Sequence, residues 1–86
     1  MVGRHIPGYN YCGPGTEDFT VDPVNSLDAA CREHDLAYIA SSKRTDRVRA
    51  DLDLYLSARN LRFRFPLASN LVQAAMLTAP GVWYRG

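Results

Sequence analysis

Cysteine is scarce here: among 86 residues only Cys12 and Cys31 carry a thiol. Two thiols exclude a disulfide-dense miniprotein and leave room for one bridge. Long apolar runs are missing too, so no segment approaches the roughly 20 residues that a membrane-spanning helix needs. Residues 1–11 lack an apolar core stretch, and no secretory leader is read there. Net charge is only +1, too small to name a partner. No Gly-Lys-Ser/Thr follows the early glycines, which excludes a phosphate loop of that type. There is no internal repeat and no domain boundary, so residues 1–86 are read as one domain. A chain this short has a thin margin of stability and calls for a staple, either a disulfide or a metal.

What is present is unevenly placed. Residues 1–42 hold six acids against Arg4 and Arg32, a net of −4. Residues 43–86 hold eight basic residues against Asp46, Asp51 and Asp53, a net of +5. An acidic half beside a basic half suits a cation site next to an anionic surface or partner. The plain alternative is scattered, solvated charge.

Along the chain, residues 1–25 are punctuated by Gly3, Pro7, Gly8, Gly13, Pro14, Gly15 and Pro23, too densely for a helix or a central strand. The spacing predicts a helix over 26–41. Asn25 caps it and Asp28 stands in a capping-box place. Leu27, Ala30, Cys31, His34, Ala37 and Tyr38 share one face, with Asp28, Arg32 and Glu33 off it. A second helix is expected over 46–60 after Thr45, with Val48, Leu52, Tyr55 and Arg59 in one row. The short turn between them predicts an antiparallel hairpin. Ser69 is the expected cap of a third helix over 69–78, stopped by Pro80-Gly81. The apolar tail Val82-Trp83-Tyr84 packs back or reaches for a membrane. The fold class is therefore all-α in the main: an irregular loop region, a two-helix core and a short third helix.

The chemistry gathers in Cys31-Arg32-Glu33-His34-Asp35-Leu36-Ala37-Tyr38. A lone histidine on an apolar helix face is usually a satisfied core residue. Here its neighbours point elsewhere. Consecutive helix residues diverge by about 100°, so His34 can face the core while Asp35 faces a site beside it. Asp51 lies among apolar residues of the second helix, where a carboxylate needs a partner. An antiparallel hairpin brings it to the His34 ring, which would fix the tautomer and leave the other nitrogen as a base. Asp53 is the rival, disfavoured because Arg49 and Ser57 flank it. Tyr11-Cys12-Gly13-Pro14-Gly15 can curl so that carbonyls converge. Such carbonyls, with Asp35, suit calcium, which takes oxygen ligands. Cys12 and Cys31 admit three readings: a bridge that pins this loop to the helix, two reduced thiols, or a zinc site with His5 and His34.

At these residues a family comes into view. Tyr11-x-Gly13-x-Gly15 followed by Cys31-x-x-His34-Asp35-x-x-Tyr38 resembles the secreted phospholipase A2 superfamily. Pro23-x-Asn25-x-x-Asp28-x-Ala30, before His34-Asp35-x-Ala37-Tyr38, is more similar to the phospholipase A2 domain of parvovirus minor capsid proteins. The likeness covers about residues 7–56. It implies that the carbonyls of Tyr11, Gly13 and Gly15 and the carboxylate of Asp35 bind Ca²⁺. It implies that His34 is the general base, that Asp51 orients it, that Tyr38 supports Asp51, and that the Gly13 N–H helps the oxyanion. It pairs Cys12 with Cys31 in the place of one secreted-enzyme disulfide, linking the calcium loop to the helical core. The cysteine pair departs from the viral pattern, and Thr16 stands where that pattern has asparagine.

The implied activity is calcium-dependent hydrolysis of the sn-2 ester of membrane glycerophospholipids, with a membrane-penetration role if the chain is viral. The competing reading is a catalytically inactive module of the same fold that holds calcium, lipid or protein. A weaker third reading takes Arg62-Phe63-Arg64-Phe65 as a base-stacking strip; no nucleic-acid partner is expected. The location implied is extracellular, or a virion acting in the endosome. The sequence sets no oligomeric state. The amphipathic N-terminal helix of the secreted enzymes is absent, so the lipid-facing residues are sought in Ile6, Leu27, Leu36, Phe63, Phe65, Trp83 and Tyr84, flanked by Arg62, Arg64 and Arg85.

Overall fold

A computed structural model describes residues 5–13, 16 and 18–78. Three helices and no strand occur among them: α1 Ser26–Ala40, α2 Arg44–Asn60 and α3 Pro66–Thr78. Helix α1 packs on α2, and α2 on α3. Arg47 meets Tyr38 and Asp51 meets His34, so α1 and α2 run antiparallel. The core joins Leu27 and Cys31 of α1, Leu54 and Ala58 of α2, and Val72 and Met76 of α3 to Tyr11 and Cys12 of the loop. The tail at Val82, Trp83, Tyr84 and Arg85 lies outside the described residues, as does the expected stop at Pro80-Gly81.

Helix α1 starts where its cap dictates. The Asn25 side chain accepts the Asp28 N–H at 2.9 Å, satisfying one of the free donors of the first turn. The reciprocal half of a capping box is missing. Instead of lying off the buried face, Asp28 is fully buried. Its carboxylate accepts N–H groups from Tyr11 at 2.7 Å, Cys12 at 3.2 Å, Val24 at 3.0 Å and Asn10 at 3.2 Å. Such a carboxylate ties two separate loop segments to the first turn of α1. Asp28→Ala is expected to lower stability by about 3 kcal/mol, because it leaves several buried donors unpaired; urea unfolding checks this, and a loss under 1 kcal/mol would refute the anchoring role.

Three expectations are corrected in α2 and α3. Helix α2 begins at Arg44, with Thr45 inside it and Lys43 at the cap position without a side-chain bond. Ser41 caps the corner instead, donating to Asp46 at 2.7 Å and accepting from the Lys43 N–H at 3.2 Å. The buried stripe of α2 is Ala50, Leu54 and Ala58, whereas Val48 and Leu52 are over half exposed. Small alanines let the neighbouring helices come close, and that outweighs a larger apolar row. Helix α3 begins at Pro66, whose fixed φ and missing N–H suit a first turn. Ser69 is not a cap; it is buried and its hydroxyl donates to the Ala58 carbonyl, stitching α3 to α2.

The disulfide reading holds. Cys12 and Cys31 are bonded, with Cα atoms 5.1 Å apart and a sequence separation of 19. This removes the zinc reading, since neither sulfur is free. A closed loop of this length stabilises by about 3 kcal/mol through the unfolded chain's lost entropy. His5, the remaining zinc candidate, is engaged with the Thr16 hydroxyl at 2.8 Å.

Candidate active site

The loop before α1 is built to face it. Ile6 N–H donates to the Cys12 carbonyl at 2.8 Å and Tyr9 N–H to the Ile6 carbonyl at 2.9 Å. Gly8, at φ 86°, makes the bend that a side chain would strain. Tyr11 is fully buried, its hydroxyl bonded to the Val21 carbonyl, and Arg32 holds the Phe19 carbonyl at 3.0 Å. The Cys12 N–H points at Asp28. A planar trans peptide sets the preceding carbonyl opposite to that N–H, so the Tyr11 carbonyl turns away from Asp28. Gly13 follows at φ 142° and is buried, a conformation that an L side chain rarely takes. Gly15 lies outside the described residues.

Between the helices, His34 Nε2 lies 2.7 Å from Asp51 Oδ1. The Tyr38 hydroxyl donates to the same oxygen at 2.6 Å. A carboxylate only accepts, so Nε2 carries the hydrogen and Nδ1 of the neutral ring keeps its lone pair. Asp53 is exposed on another face of α2; Asp51 alone makes this contact. Burial, then the hydrogen bond and charge of Asp51, push the Tyr38 hydroxyl well above the ordinary tyrosine range. Tyr38 therefore stays a donor. Arg47 brackets the arrangement from α2. It donates to the Tyr38 carbonyl at 3.0 Å and the Ser41 carbonyl at 2.9 Å, and its guanidinium sits 4.7 Å from the Tyr38 ring centre. Tyr38→Phe is expected to keep the fold and cost about 1–2 kcal/mol, the loss of one hydrogen bond to a charged group; a thermal melt unchanged from the parent would contradict it.

The neighbouring carboxylate is different in kind. Asp28 and Asp35 are seven residues apart, two turns along one helix face, and both are buried to about 1% or less. Asp28 has its lone pairs filled by loop N–H groups. Both oxygens of Asp35, and Nδ1 of His34, have no geometrically sound hydrogen-bond partner among the described residues. Nδ1 and Asp35 Oδ1 are 3.6 Å apart. Burial is the leading influence on Asp35 and raises its pKa, against smaller lowering effects from His34, Thr16 and His5. Two buried acceptors this close to each other are costly unless a donor or cation joins them. No trio of His, Cys, Asp or Glu among the described residues suits a metal. A cation at Asp35 would therefore draw on backbone carbonyls, which hard ions accept.

The site thus brings together His34, Asp35, Tyr38 and Asp51, and sets Tyr11 and Gly13 in the loop tied to their helix. Two supporting residues have roles that the sequence does not announce: Asp28, which reads as a helix-capping acid, and Arg47, which carries no motif. The seven-residue interval from Asp28 to Asp35 and the four-residue interval from Arg47 to Asp51 are the signals that could have found them.

This loop, disulfide and paired-helix arrangement belongs to a known class of domain. The sequence matches the phospholipase A2-like domain family over residues 2–75, and the chain belongs to that family. It is 53% identical over 36 residues to the minor capsid protein VP1 of bovine parvovirus 1, covering 42% of this chain and 5% of that protein. It is 37% identical over 67 residues to the capsid protein VP1 of Diatraea saccharalis densovirus, covering 70% of this chain and 8% of that protein. With the capsid protein VP1 of mink enteritis virus (strain Abashiri) it shares 49% over 40 residues, 46% of this chain and 6% of that protein. The chain thus spans under a tenth of the length of these curated relatives. No solved structure matches.

Proposed function

We propose that this chain is a calcium-dependent phospholipase A2 that hydrolyses the sn-2 ester of membrane glycerophospholipids. One observation carries the reading: a histidine held by a carboxylate at 2.7 Å presents its other nitrogen beside a buried carboxylate without a geometric hydrogen-bond partner. The carboxylate of Asp35, with the carbonyls of Tyr11, Gly13 and Gly15, would hold the ion. Bound calcium would supply positive charge to the ester carbonyl and the phosphate.

This chain's residues do the rest. His34 Nδ1 takes a proton from a water as that water attacks the ester carbonyl. Asp51 stabilises the imidazolium that results, and Tyr38 keeps Asp51 in place. The Gly13 N–H donates to the developing oxyanion. The imidazolium then returns its proton to the departing glycerol oxygen, leaving a free fatty acid and a lysophospholipid. The capsid proteins among its relatives make a virion the natural setting, with membrane penetration as the use.

The deciding experiment measures fatty acid released from vesicles carrying an sn-2 label, first with calcium and then with a chelator. Release that depends on calcium is expected. Calcium binding without release would instead favour an inactive lipid- or partner-binding module, and absence of both would overturn the reading.

A further inference from the structure

The acidic residues end at Asp53: residues 54–86 contain four arginines and no acid. Three of these, Arg59, Arg62 and Arg64, are exposed where α2 gives way to α3. The connection is not slack. Arg64 and Phe65 N–H groups both return to the Leu61 carbonyl, at 3.1 and 3.0 Å. Each of the last two arginines stands by the aromatic residue that follows it, Arg62 at 4.6 Å from the Phe63 ring centre and Arg64 at 5.5 Å from that of Phe65. Phe63 is 85% exposed and Leu67 82%. Beside them runs an open groove of about 480 Å³, lined by Ile6, Tyr9, Phe65, Leu67 and Leu71 among others, none of them charged. The expected lipid-facing residue Leu27 is fully buried, so it has no part in any surface.

We propose that this corner docks on an anionic phospholipid bilayer. Phe63, Leu67 and Leu71 enter the headgroup boundary, and Arg59, Arg62 and Arg64 meet lipid phosphates and carboxylates. The apolar residues stand out too far for solvated decoration and are few enough for a reversible contact. Guanidinium and ring side by side suit the interface, where one is wet and the other apolar. Among the described residues no ion pair engages these arginines, and an anionic leaflet attracts such charge. The proposal deepens the hydrolase reading by giving the substrate surface a headgroup charge, yet docking itself needs neither calcium nor turnover.

The test is binding of the full chain, in chelator, to vesicles of phosphatidylcholine alone and of phosphatidylcholine with phosphatidylserine. Tighter binding to the serine vesicles is expected, weakening as salt rises. Arg62→Gln with Arg64→Gln should lower that binding roughly thirtyfold, about fivefold for each arginine, with an unchanged circular dichroism spectrum. Arg62→Lys with Arg64→Lys should restore most of it. Leu67→Ser with Leu71→Ser should weaken binding to both kinds of vesicle. Equal binding to the two vesicles, or a glutamine pair that binds like the parent, would overturn the proposal. So would a dimer abolished by Leu67→Ser in a chain that ignores vesicles, or a preference for an oligonucleotide over serine vesicles. Docking without fatty acid release in calcium would refute the hydrolase and leave the surface standing. Release from a monomeric short-chain phospholipid without docking would do the reverse.

Discussion

His34→Gln is expected to lower calcium-dependent fatty acid release about 10³-fold, within the usual contribution of a positioned general base. Glutamine keeps a donor within reach of Asp51 and nearly fills the ring's volume, but it has no nitrogen that takes up a proton. The fold should survive, because the links from Asp51 to Tyr38 and from Arg47 to the end of α1 do not pass through the ring. Stabilisation by calcium should survive too, since His34 is not among the proposed ligands. Release, a thermal melt and a calcium titration on one preparation check all three. A variant that keeps a tenth or more of the parent's activity would end the assignment of His34 as base.

Asp35→Asn has the second largest expected effect, and it acts in opposite directions with and without the ion. Burial raises the folded-state pKa of Asp35 above its ordinary value. The unfolded chain thus holds the charged form more readily, and at neutral pH the buried charge costs stability. This penalty fades as pH falls through the folded-state value. Asparagine removes it, so in chelator the variant should be more stable than the parent, by about 1–2 kcal/mol. In calcium the order should reverse. An ion at 100 times its dissociation constant adds about 2.7 kcal/mol to the parent and nothing to the variant, whose activity is lost as well. Melting curves in chelator and in calcium separate the two effects. A variant less stable in chelator, or one still stabilised by calcium, would remove Asp35 from the ligand set.

The parts most legible in the sequence were those where one residue has one job. Asn25 marked the start of α1, and the spacing of His34, Tyr38 and Asp51 placed three side chains that the fold brings within hydrogen-bonding distance. The reasons for choosing Asp51 were less sound than the choice. Its row of Val48 and Leu52 is exposed, and what places it is the alanine stripe of Ala50 and Ala58 beside it. Hydrophobicity read along a helix favours large side chains, whereas close packing of two helices favours small ones. Asp28 was misread for a related reason. An acid three residues after a cap has a familiar local role, and only the returning loop shows that its carboxylate binds residues 16 to 18 positions away. Ser69 reads as a cap along the sequence because its partner, Ala58, belongs to another helix.

The single bridge has a consequence for where the chain is competent. In a thiol-rich cytosol such a bond is normally open, and residues 10–12 would then be held to α1 by Asp28 and by the packing of Tyr11 against Leu27 and Arg32, with no covalent tie. Outside the cell, or on a particle that has left it, the second tether closes. The same polypeptide would be slacker where thiols keep the bond open and tauter where it closes, so the redox surroundings set how firmly the loop of Tyr11 and Gly13 is held beside Asp35.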